Sequence, residues 1–386
     1  MQTINFEYRN PAQRIVFGRG ALTKVAQELA AISARRPMLV CSARGAQSAG
    51  GRALIEALDL PPEAVFAGVE AHAPVRAVLE AWKRACEIQP DCLLALGGGS
   101  AADATKGIAL AFAEEGRVLD FVLEGAPDGR VISRQSTGPK LPIVAIPTTL
   151  SGAEVSPQFA LTDESAKKLI FRDNAVAPSI LVYDPDLVRS PLDTLAPSAM
   201  NALAHTVEAL YSKARNPISA MYASEALRLL HNGLSTAIAD PADADAYVSL
   251  TLGAYIAAVA IVNARTGLHH AICHKLAPVA GLTHGTANSI ILPHALRFNL
   301  RAARHELTQV AQLICQDGRR NAEDAIADLG ALCARAGLPR RLRDVSVSRE
   351  IFPALAEKIF AEPGLAFNPR EIRSVEEIEG VLHAAW

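Results

Sequence analysis

The sequence predicts two domains: a parallel α/β domain over residues 1–186, followed by an all-helical domain over residues 187–386. In the first half, short apolar runs alternate with longer helical patterns, which is typical of β-α-β units. After Asp186, β-branched runs become rare and apolar residues recur at three- and four-residue spacing. Prolines at positions 185, 191 and 197 mark the connection between the two patterns.

The elements of the first domain follow from local composition. Apolar runs predict strands at Arg14–Phe17, Pro37–Cys41, Ala64–Val69, Cys92–Leu96, Ile143–Ile146 and Gln158–Thr162. Helical patterns start near Ala21, Gly50, Val75 and Ala101. The segment Leu123–Pro142 is rich in Gly, Pro, Ser and charge and has no periodicity, so we expect a surface excursion there.

Three glycines connect the predicted strand Cys92–Leu96 to the next helix. Gly97, Gly98 and Gly99 leave room for backbone N–H groups to approach a pyrophosphate, and Ser100 is placed to cap the helix. The spacing differs from G-x-G-x-x-G, so a plain tight turn remains an alternative. A second strand ends in Pro147-Thr148-Thr149, whose hydroxyl groups are expected at the same edge of the sheet.

Histidines at helical spacing dominate the second domain. Asn201 and His205 are four residues apart, as are His270 and His274, and His284 follows in a short Thr-His-Gly segment. Residues i and i+4 share a helix face, which is how a helical domain assembles imidazoles around a metal or a reacting carbon. A divalent cation prefers a carboxylate, whereas Asn201 offers a neutral amide, so a metal is not favoured.

Composition excludes several classes of partner. The chain carries 38 basic and 40 acidic residues, which gives no electrostatic reason to expect nucleic acid or an anionic membrane, so a small molecule is the expected ligand. The six scattered cysteines indicate reduced, buried thiols in a cytoplasmic protein. The most apolar stretch, Tyr247–Val262, is short for a membrane span and predicts a buried helix.

These motifs, in this order, resemble the iron-containing alcohol dehydrogenase superfamily over essentially the whole chain. Asparagine at position 201, where metal-dependent members carry aspartate, the compact turn 147–154 and the segment Val69–Pro74 are most similar to the maleylacetate reductase branch. The longer Leu123–Pro142 segment is closer to the alcohol dehydrogenases and leaves the substrate open. The resemblance implies a nucleotide-binding α/β domain, a helical domain and a homodimer.

The resemblance also assigns residues. It implies that NADH or NADPH is bound by Gly97, Gly98, Gly99, Ser100, Asp103, Lys106, Thr148 and Thr149. It places Asn201, His205, His270 and His284 at the positions of the family's metal ligands, for iron or zinc if a metal is bound, and His274 near the nicotinamide and substrate. Ser42 stands where NAD-preferring relatives often have an acidic residue, so NADH use with NADPH tolerated is expected.

Three cations follow the strand Gln158–Thr162. Lys167, Lys168 and Arg172 are either a solvated turn or a site that recognises a substrate carboxylate. The expected activity is reduction of a small unsaturated keto-diacid, maleylacetate to 3-oxoadipate, in the degradation of aromatic compounds. A metal-dependent alcohol dehydrogenase or aldehyde reductase is one alternative, and a lyase of the dehydroquinate synthase type is another.

Overall fold

The computed structural model describes residues 5–8, 12–125, 131–132, 134–165 and 167–386. Two compact units divide the chain, one of Pro11–Val188 and one of Arg189–Trp386. The described residues 5–8 belong to the second unit, which differs from the predicted domain 1–186. Tyr8 of this segment lies near Tyr222 and Tyr255 of the second unit, and burial together with these two hydroxyl groups raises its pKa to about 12.

A parallel sheet forms the centre of the first unit. The strands are β1 (Arg14–Phe17), β2 (Pro37–Val40), β3 (Val65–Phe66), β4 (Cys92–Gly97), β5 (Glu124–Gly125), β6 (Val131–Ile132), β7 (Ile143–Pro147), β8 (Gln158–Thr162), β9 (Lys168–Arg172) and β10 (Ile180–Tyr183). The main sheet has the order β1-β10-β7-β4-β2-β3, and all of its neighbouring strands are parallel. Its central strands β4, β7 and β10 are buried almost throughout, as expected for a sheet covered on both faces.

Helices flank this sheet and build the whole of the second unit. Those of the first unit are α1 (Val25–Ala31), α2 (Ala43–Gln47), α3 (Ala49–Ala57), α4 (Val75–Ile88), α5 (Gly99–Ala113) and α6 (Pro185–Val188). Those of the second are α7 (Leu192–Tyr211), α8 (Pro217–Ala239), α9 (Ala244–Ala264), α10 (Leu268–Val279), α11 (His284–Asn299), α12 (Arg304–Cys315), α13 (Ala322–Arg335), α14 (Phe352–Phe360) and α15 (Val375–Ala384). The predicted fold class, α/β followed by all-α, is confirmed.

Two predicted features differ from the structure. The strand predicted over Ala64–Val69 is only two residues long, Val65–Phe66; a 3-10 turn precedes it at Pro62–Ala64, and Gly68 after it forms an isolated antiparallel bridge with Ser42. Residues 126–130 and 133 of the predicted excursion Leu123–Pro142 lie outside the described residues. Within its described part, β5 and β6 pair as a short antiparallel ribbon.

Burial explains the other compositional expectations. All six cysteines are free thiols, but Cys86 and Cys315 are exposed, so the expectation of buried thiols is wrong for these two. Helix α9 is the one described helix long and apolar enough to cross a membrane, and 61% of its most apolar window is buried within the protein. That burial is the packing of a core helix against α7 and α8.

Candidate active site

The glycine loop lies at the carboxyl edge of the sheet, where the strand order reverses. The chain passes from β2 outward to β3 and then returns to β4 on the other side of β2. Gly97 pairs with Pro147, so the loops that begin at Ser42, Gly97 and Thr148 lie side by side. Open α/β sheets bind ligands at this position because the neighbouring loops diverge and leave a crevice.

Local geometry at this loop fits a pyrophosphate. A Cβ on Gly98 would lie 2.9 Å from Cγ2 and 3.0 Å from Oγ1 of Thr149, so the close approach of the two loops requires glycine. Helix α5 begins at Gly99, and the N–H groups of Gly99 and Ser100 have no acceptor within the helix. The buried Thr149 hydroxyl has no hydrogen-bond partner within the described part of the chain. These donors fit the pyrophosphate of NAD(P).

Ser100 does not cap helix α5, contrary to the prediction. The helix begins one residue earlier, with Gly98 at the N-cap and no side-chain cap. The hydroxyl of Ser100 instead accepts the N–H of His72 at 3.0 Å. His72 and Ala73 both have left-handed backbones, with φ of 63° and 47°, so this bond stabilises a strained loop next to the glycines.

Asp103 and Lys106 connect α5 to the segment that follows Thr149. Lys106 is completely buried, and its ammonium group donates to the carbonyls of Ala153 at 2.7 Å and Gln158 at 3.3 Å. Asp103 accepts the N–H of Ala160 at 3.2 Å. Burial lowers the pKa of Lys106, and it raises that of Asp103. The structure therefore gives both residues a role in positioning the loop, and their predicted contact with a cofactor stays a prediction.

Ser42 and Thr148 are also engaged within the protein. The hydroxyl of Ser42 caps α2 by accepting the N–H of Gly45 at 3.0 Å. The backbone N–H of Thr148 donates to the carbonyl of Gly97 at 2.9 Å, which links the two loops. Their predicted contacts with the cofactor stay predictions.

The three cations predicted to recognise a substrate carboxylate lie on one β-hairpin. Lys168 and Arg172 are the first and last residues of β9, which pairs with β8 in an antiparallel hairpin. Four residues of extended strand separate Cα atoms by about 13 Å. The backbone N–H of Lys167 donates to Asp163 in the hairpin turn. The predicted role of these cations in recognising a substrate carboxylate stays a prediction.

The four predicted catalytic histidines come together in the helical unit. Ring centroids lie 4.6 Å apart for His205 and His270 and 5.4 Å apart for His274 and His284. The His270 ring is 5.9 Å from each of His274 and His284. Helix α7 contributes His205, α10 contributes His270 and His274, and α11 contributes His284.

Glycine at position 285 allows α11 to begin against α7. A Cβ there would lie 2.5 Å from the backbone of Pro197, so no other residue fits without moving one of the helices. This close approach brings the start of α11, and therefore His284, up to α7. The Thr-His-Gly segment thus serves helix packing as well as supplying an imidazole.

Glu208 holds the histidine cluster, although it is not among the residues predicted from the sequence. Its Oε2 accepts a hydrogen bond from Nδ1–H of His270 at 2.5 Å. Its Oε1 accepts hydrogen bonds from the backbone N–H groups of Gly267 and His269, each at 3.1 Å. The side chain is completely buried. Its position on α7, three residues after His205 and seven after Asn201, is the helical spacing that could have identified it.

Burial controls the charges in this cluster. It lowers the pKa of His205 well below the usual value, with a contribution from His270, and it lowers the pKa of His269 to about 3. Burial raises the pKa of Glu208, while His269 and the backbone N–H groups that it accepts act in the opposite direction. His205 and His269 are therefore neutral imidazoles at physiological pH.

Asn201 is engaged by a second buried amide. Its Oδ1 accepts a hydrogen bond from Nδ2 of Asn288 at 3.0 Å, and Nδ2 of Asn288 also donates to the backbone carbonyl of His284 at 2.8 Å. Asn288 is completely buried and Asn201 is 7% exposed. The oxygen of Asn201 therefore faces another protein group.

The residues at the predicted ligand positions form a weak set for a divalent iron or zinc ion, because an amide stands where a carboxylate is expected. Ligand atoms around one tetrahedral ion lie about 3.4 Å apart. Among the described residues, one group of three His, Cys, Asp or Glu side chains gathers its ligand atoms within 4.8 Å, namely Glu208, His269 and His270. Those side chains are already hydrogen-bonded to one another. The set of Asn201, His205, His270 and His284 contains no carboxylate, and its amide oxygen is bound to Asn288.

Two family models match the chain. The one described as "Iron-containing alcohol dehydrogenase" matches residues 12–185, and the one described as "Fe-containing alcohol dehydrogenase family, C-terminal" matches residues 195–386. Together they cover both the glycine loop and the histidine cluster.

Relatives at similar identity are named for different activities. The chain is 31% identical to a maleylacetate reductase of Burkholderia cepacia, over 96% of this chain and 95% of the relative. It is 30% identical to an NAD-dependent methanol dehydrogenase of Bacillus methanolicus, over 96% of this chain and 97% of the relative. The crystal structure of maleylacetate reductase from Agrobacterium tumefaciens superposes with a TM-score of 0.82 at 28% identity, covering 100% of this chain and 99% of that one.

Proposed function

The chain belongs to the iron-containing alcohol dehydrogenase family, and on that premise we propose that it is an NAD(P)H-dependent reductase that converts maleylacetate to 3-oxoadipate. Membership of the family makes the protein an oxidoreductase. The substrate is the proposal, because relatives at similar identity carry the names of a maleylacetate reductase and of a methanol dehydrogenase.

The observation that carries the proposal is the amide at position 201. An alcohol dehydrogenase that uses iron or zinc polarises its substrate through the ion, which needs a firmly bound cation. Here a neutral amide stands at the position of the acidic ligand, and its oxygen accepts a hydrogen bond from Asn288. Reduction of an alkene conjugated with a carbonyl can proceed with hydrogen-bond donors alone, because the developing enolate charge is spread over several atoms.

The proposed reaction consumes one hydride and one proton. NAD(P)H, held by Gly97–Ser100 and Thr149, supplies the hydride when bound. The hydride adds to an alkene carbon that is conjugated with the ketone, and the electrons of the carbon–carbon double bond form an enolate. A proton then adds to the neighbouring carbon. N–H groups of His274 and His284 are the donors proposed to stabilise the enolate oxygen, and one of these rings supplies the proton, while His270 donates its Nδ1–H to Glu208 and presents Nε2 as an acceptor.

His205 and His269 have a different part in this scheme. Their lowered pKa values keep both rings neutral, so neither is the proton donor. His205 stacks on His270, and His269 contacts His270 edge-on. Both are proposed to fix the orientation of the His270 ring, whose other side is held by Glu208.

The coenzyme preference is proposed from the end of β2. Ser42 carries no charge and cannot repel a 2′-phosphate, and the exposed Arg44 is able to attract one. We therefore expect NADH to be used and NADPH to be tolerated. Steady-state titration with each coenzyme measures the ratio of the two kcat/KM values. A ratio above about a hundred for either coenzyme would contradict this expectation.

A metal-dependent alcohol dehydrogenase or aldehyde reductase is the second candidate. The methanol dehydrogenase relative and the three imidazoles at family ligand positions favour it. It requires near-stoichiometric iron or zinc by elemental analysis and loss of activity on chelation. A lyase of the dehydroquinate synthase type would turn over without net consumption of NADH.

One experiment separates these activities. Purified protein is treated with EDTA, its metal content is measured, and NADH oxidation is followed with maleylacetate as substrate. Activity after removal of metal is the expected result. Absence of NADH oxidation under these conditions, with activity restored by added iron or zinc, would overturn the proposal in favour of the metal-dependent dehydrogenase.

The cellular setting is part of the same proposal. We expect a cytoplasmic homodimer that acts in the degradation of aromatic compounds. Light scattering after size exclusion tests the assembly, and a monomer would contradict it.

A further inference from the structure

Asn288 makes an unusual set of contacts for a completely buried amide. Its nitrogen donates twice, to Oδ1 of Asn201 at 3.0 Å and to the carbonyl of His284 at 2.8 Å. Its own oxygen is buried and has no hydrogen-bond partner among the described residues. Buried amides are nearly always satisfied at both ends, so the structure tolerates an unpaired oxygen in order to place both N–H groups on these acceptors.

The backbone carbonyl decides the direction of this chain of hydrogen bonds. A carbonyl only accepts, so the group of Asn288 that faces His284 must be the NH2. The same nitrogen lies 3.0 Å from Asn201, which must therefore present its oxygen to Asn288. The nitrogen of Asn201 is left on the other branch of its amide, and it has no hydrogen bond within the described part of the protein.

We propose that Asn288 is a positioning residue that locks the amide of Asn201, so that position 201 is a hydrogen-bond donor for an anionic substrate and a poor ligand for a cation. Asn201 shares a face of α7 with His205, one helical turn away. With its oxygen held by Asn288, the group left to interact with a ligand is the NH2. An NH2 donates to a carboxylate or enolate oxygen and repels a metal ion. The substrate part rests on the proposed function, whereas the part concerning cations does not.

The test compares Asn288→Leu in two backgrounds, the natural chain and Asn201→Asp. Leucine has the same branched shape as asparagine and removes both donors. The measurement is the dissociation constant for Zn²⁺ without substrate or coenzyme, by competition with a chromogenic chelator. In the natural chain the freed amide turns its oxygen toward the cation, and affinity rises by about fivefold to tenfold, which corresponds to one net hydrogen bond.

In the Asn201→Asp background we expect almost no change in Zn²⁺ affinity. A carboxylate presents an oxygen in either direction, so Asn288→Leu changes Zn²⁺ affinity there by less than about twofold. Asn299→Leu is the matched control, since Asn299 is on the same helix as Asn288 and the substitution breaks its buried amide pair with Asn368. It lowers stability and leaves Zn²⁺ affinity unchanged. An equal response to Asn288→Leu in both backgrounds, or no response in the natural chain, would overturn the proposal.

Kinetics with maleylacetate supply a second readout. Loss of the oriented donor is expected to raise KM by about fivefold to tenfold while kcat stays within about twofold. A defect of packing alone would lower stability without that split. If Asn288→Leu does not fold, Asn288→Ala is measured in the same two backgrounds. If Zn²⁺ affinity responds as expected but the protein does not reduce maleylacetate, the proposed function is refuted and the role of Asn288 as a positioning residue stands. If the protein reduces maleylacetate but Zn²⁺ affinity does not respond, the role of Asn288 is refuted.

Discussion

Replacing Glu208 by glutamine is expected to lower activity while the fold is kept. In the natural chain Oε1 accepts two backbone N–H groups and Oε2 accepts Nδ1 of His270. Glutamine has the same shape, and its oxygen can keep the two backbone contacts. Its NH2 then faces Nδ1 of His270, which must accept instead of donate. The ring proton moves to Nε2, and the atom that His270 offers on its other side changes from an acceptor to a donor.

The magnitude follows from the bonds that change. One charge-assisted hydrogen bond is replaced by a neutral one, which lowers the free energy of unfolding by about 1–2 kcal/mol. The two backbone N–H groups stay satisfied, so the variant remains folded. Partners that set the tautomer and orientation of a functional histidine typically contribute about 10- to 100-fold, and we expect kcat to fall by that factor.

Glu114→Gln is the matched control for this prediction. Glu114 is also a buried carboxylate. It accepts hydrogen bonds from the backbone N–H groups of Thr137 and Gly138 and from the ammonium group of Lys140. It should lose a similar free energy of unfolding in urea titrations while kcat stays within about twofold. The reasoning is refuted if Glu208→Gln keeps full kcat, or if both variants lose activity in proportion to stability.

Three further predictions address the metal, the coenzyme and pH. Asn201→Asp restores a carboxylate and should tighten Zn²⁺ binding by about 10- to 1,000-fold in chelator competition, since a unit charge is worth up to about 4 kcal/mol; unchanged affinity would contradict it. Gly98→Ala, whose Cβ would collide with Thr149, should raise the KM for NADH by at least about tenfold, whereas Gly330→Ala on α13, whose Cβ meets no atom within 4 Å, should not; equal effects would refute this account of the loop. Burial lowers the pKa of His294 to about 4, so the unfolded chain takes up a proton at this histidine at a higher pH than the folded chain, and stability falls as pH drops from about 6.5 toward 4. Between pH 7 and 5 this partly exposed group is expected to lower the free energy of unfolding by about 1–2 kcal/mol. His294→Gln should abolish this pH-dependent loss in urea melts at the two pH values.

Most strands of the first unit could be predicted because their signals are local. Arg14–Phe17 and Gln158–Thr162 agree with the structure residue for residue, since each has three consecutive apolar residues, followed by Gly18 in the first and lying between Pro157 and Asp163 in the second. The hairpin partner Lys168–Arg172 was not predicted, because its charged ends conceal a strand that is stabilised by pairing with β8. Pairing between strands is a tertiary property, and single-strand patterns do not contain it.

The histidine cluster was predictable in its members and not in its contacts. Helical spacing brings Asn201 and His205 to one face, and His270 and His274 to another, because the period of the helix is fixed. The same spacing applies to Glu208, but its importance depends on His270, a residue of a different helix. Lys106 donates to two backbone carbonyls of a later segment, and these contacts were not predictable from the motif to which it belongs.

The sequence by itself determined the α/β and helical halves, the glycine turn at a strand end and the set of imidazoles, because periodicity and turn chemistry are encoded by neighbouring residues. Only the tertiary structure decided which partner each functional group has. Glu208 meets His270 across 62 residues of chain, and Asn288 meets Asn201 across 87. Such contacts depend on how helices pack, and a hydrogen bond between them fixes the tautomer of a ring or the direction of an amide, which composition and spacing leave open.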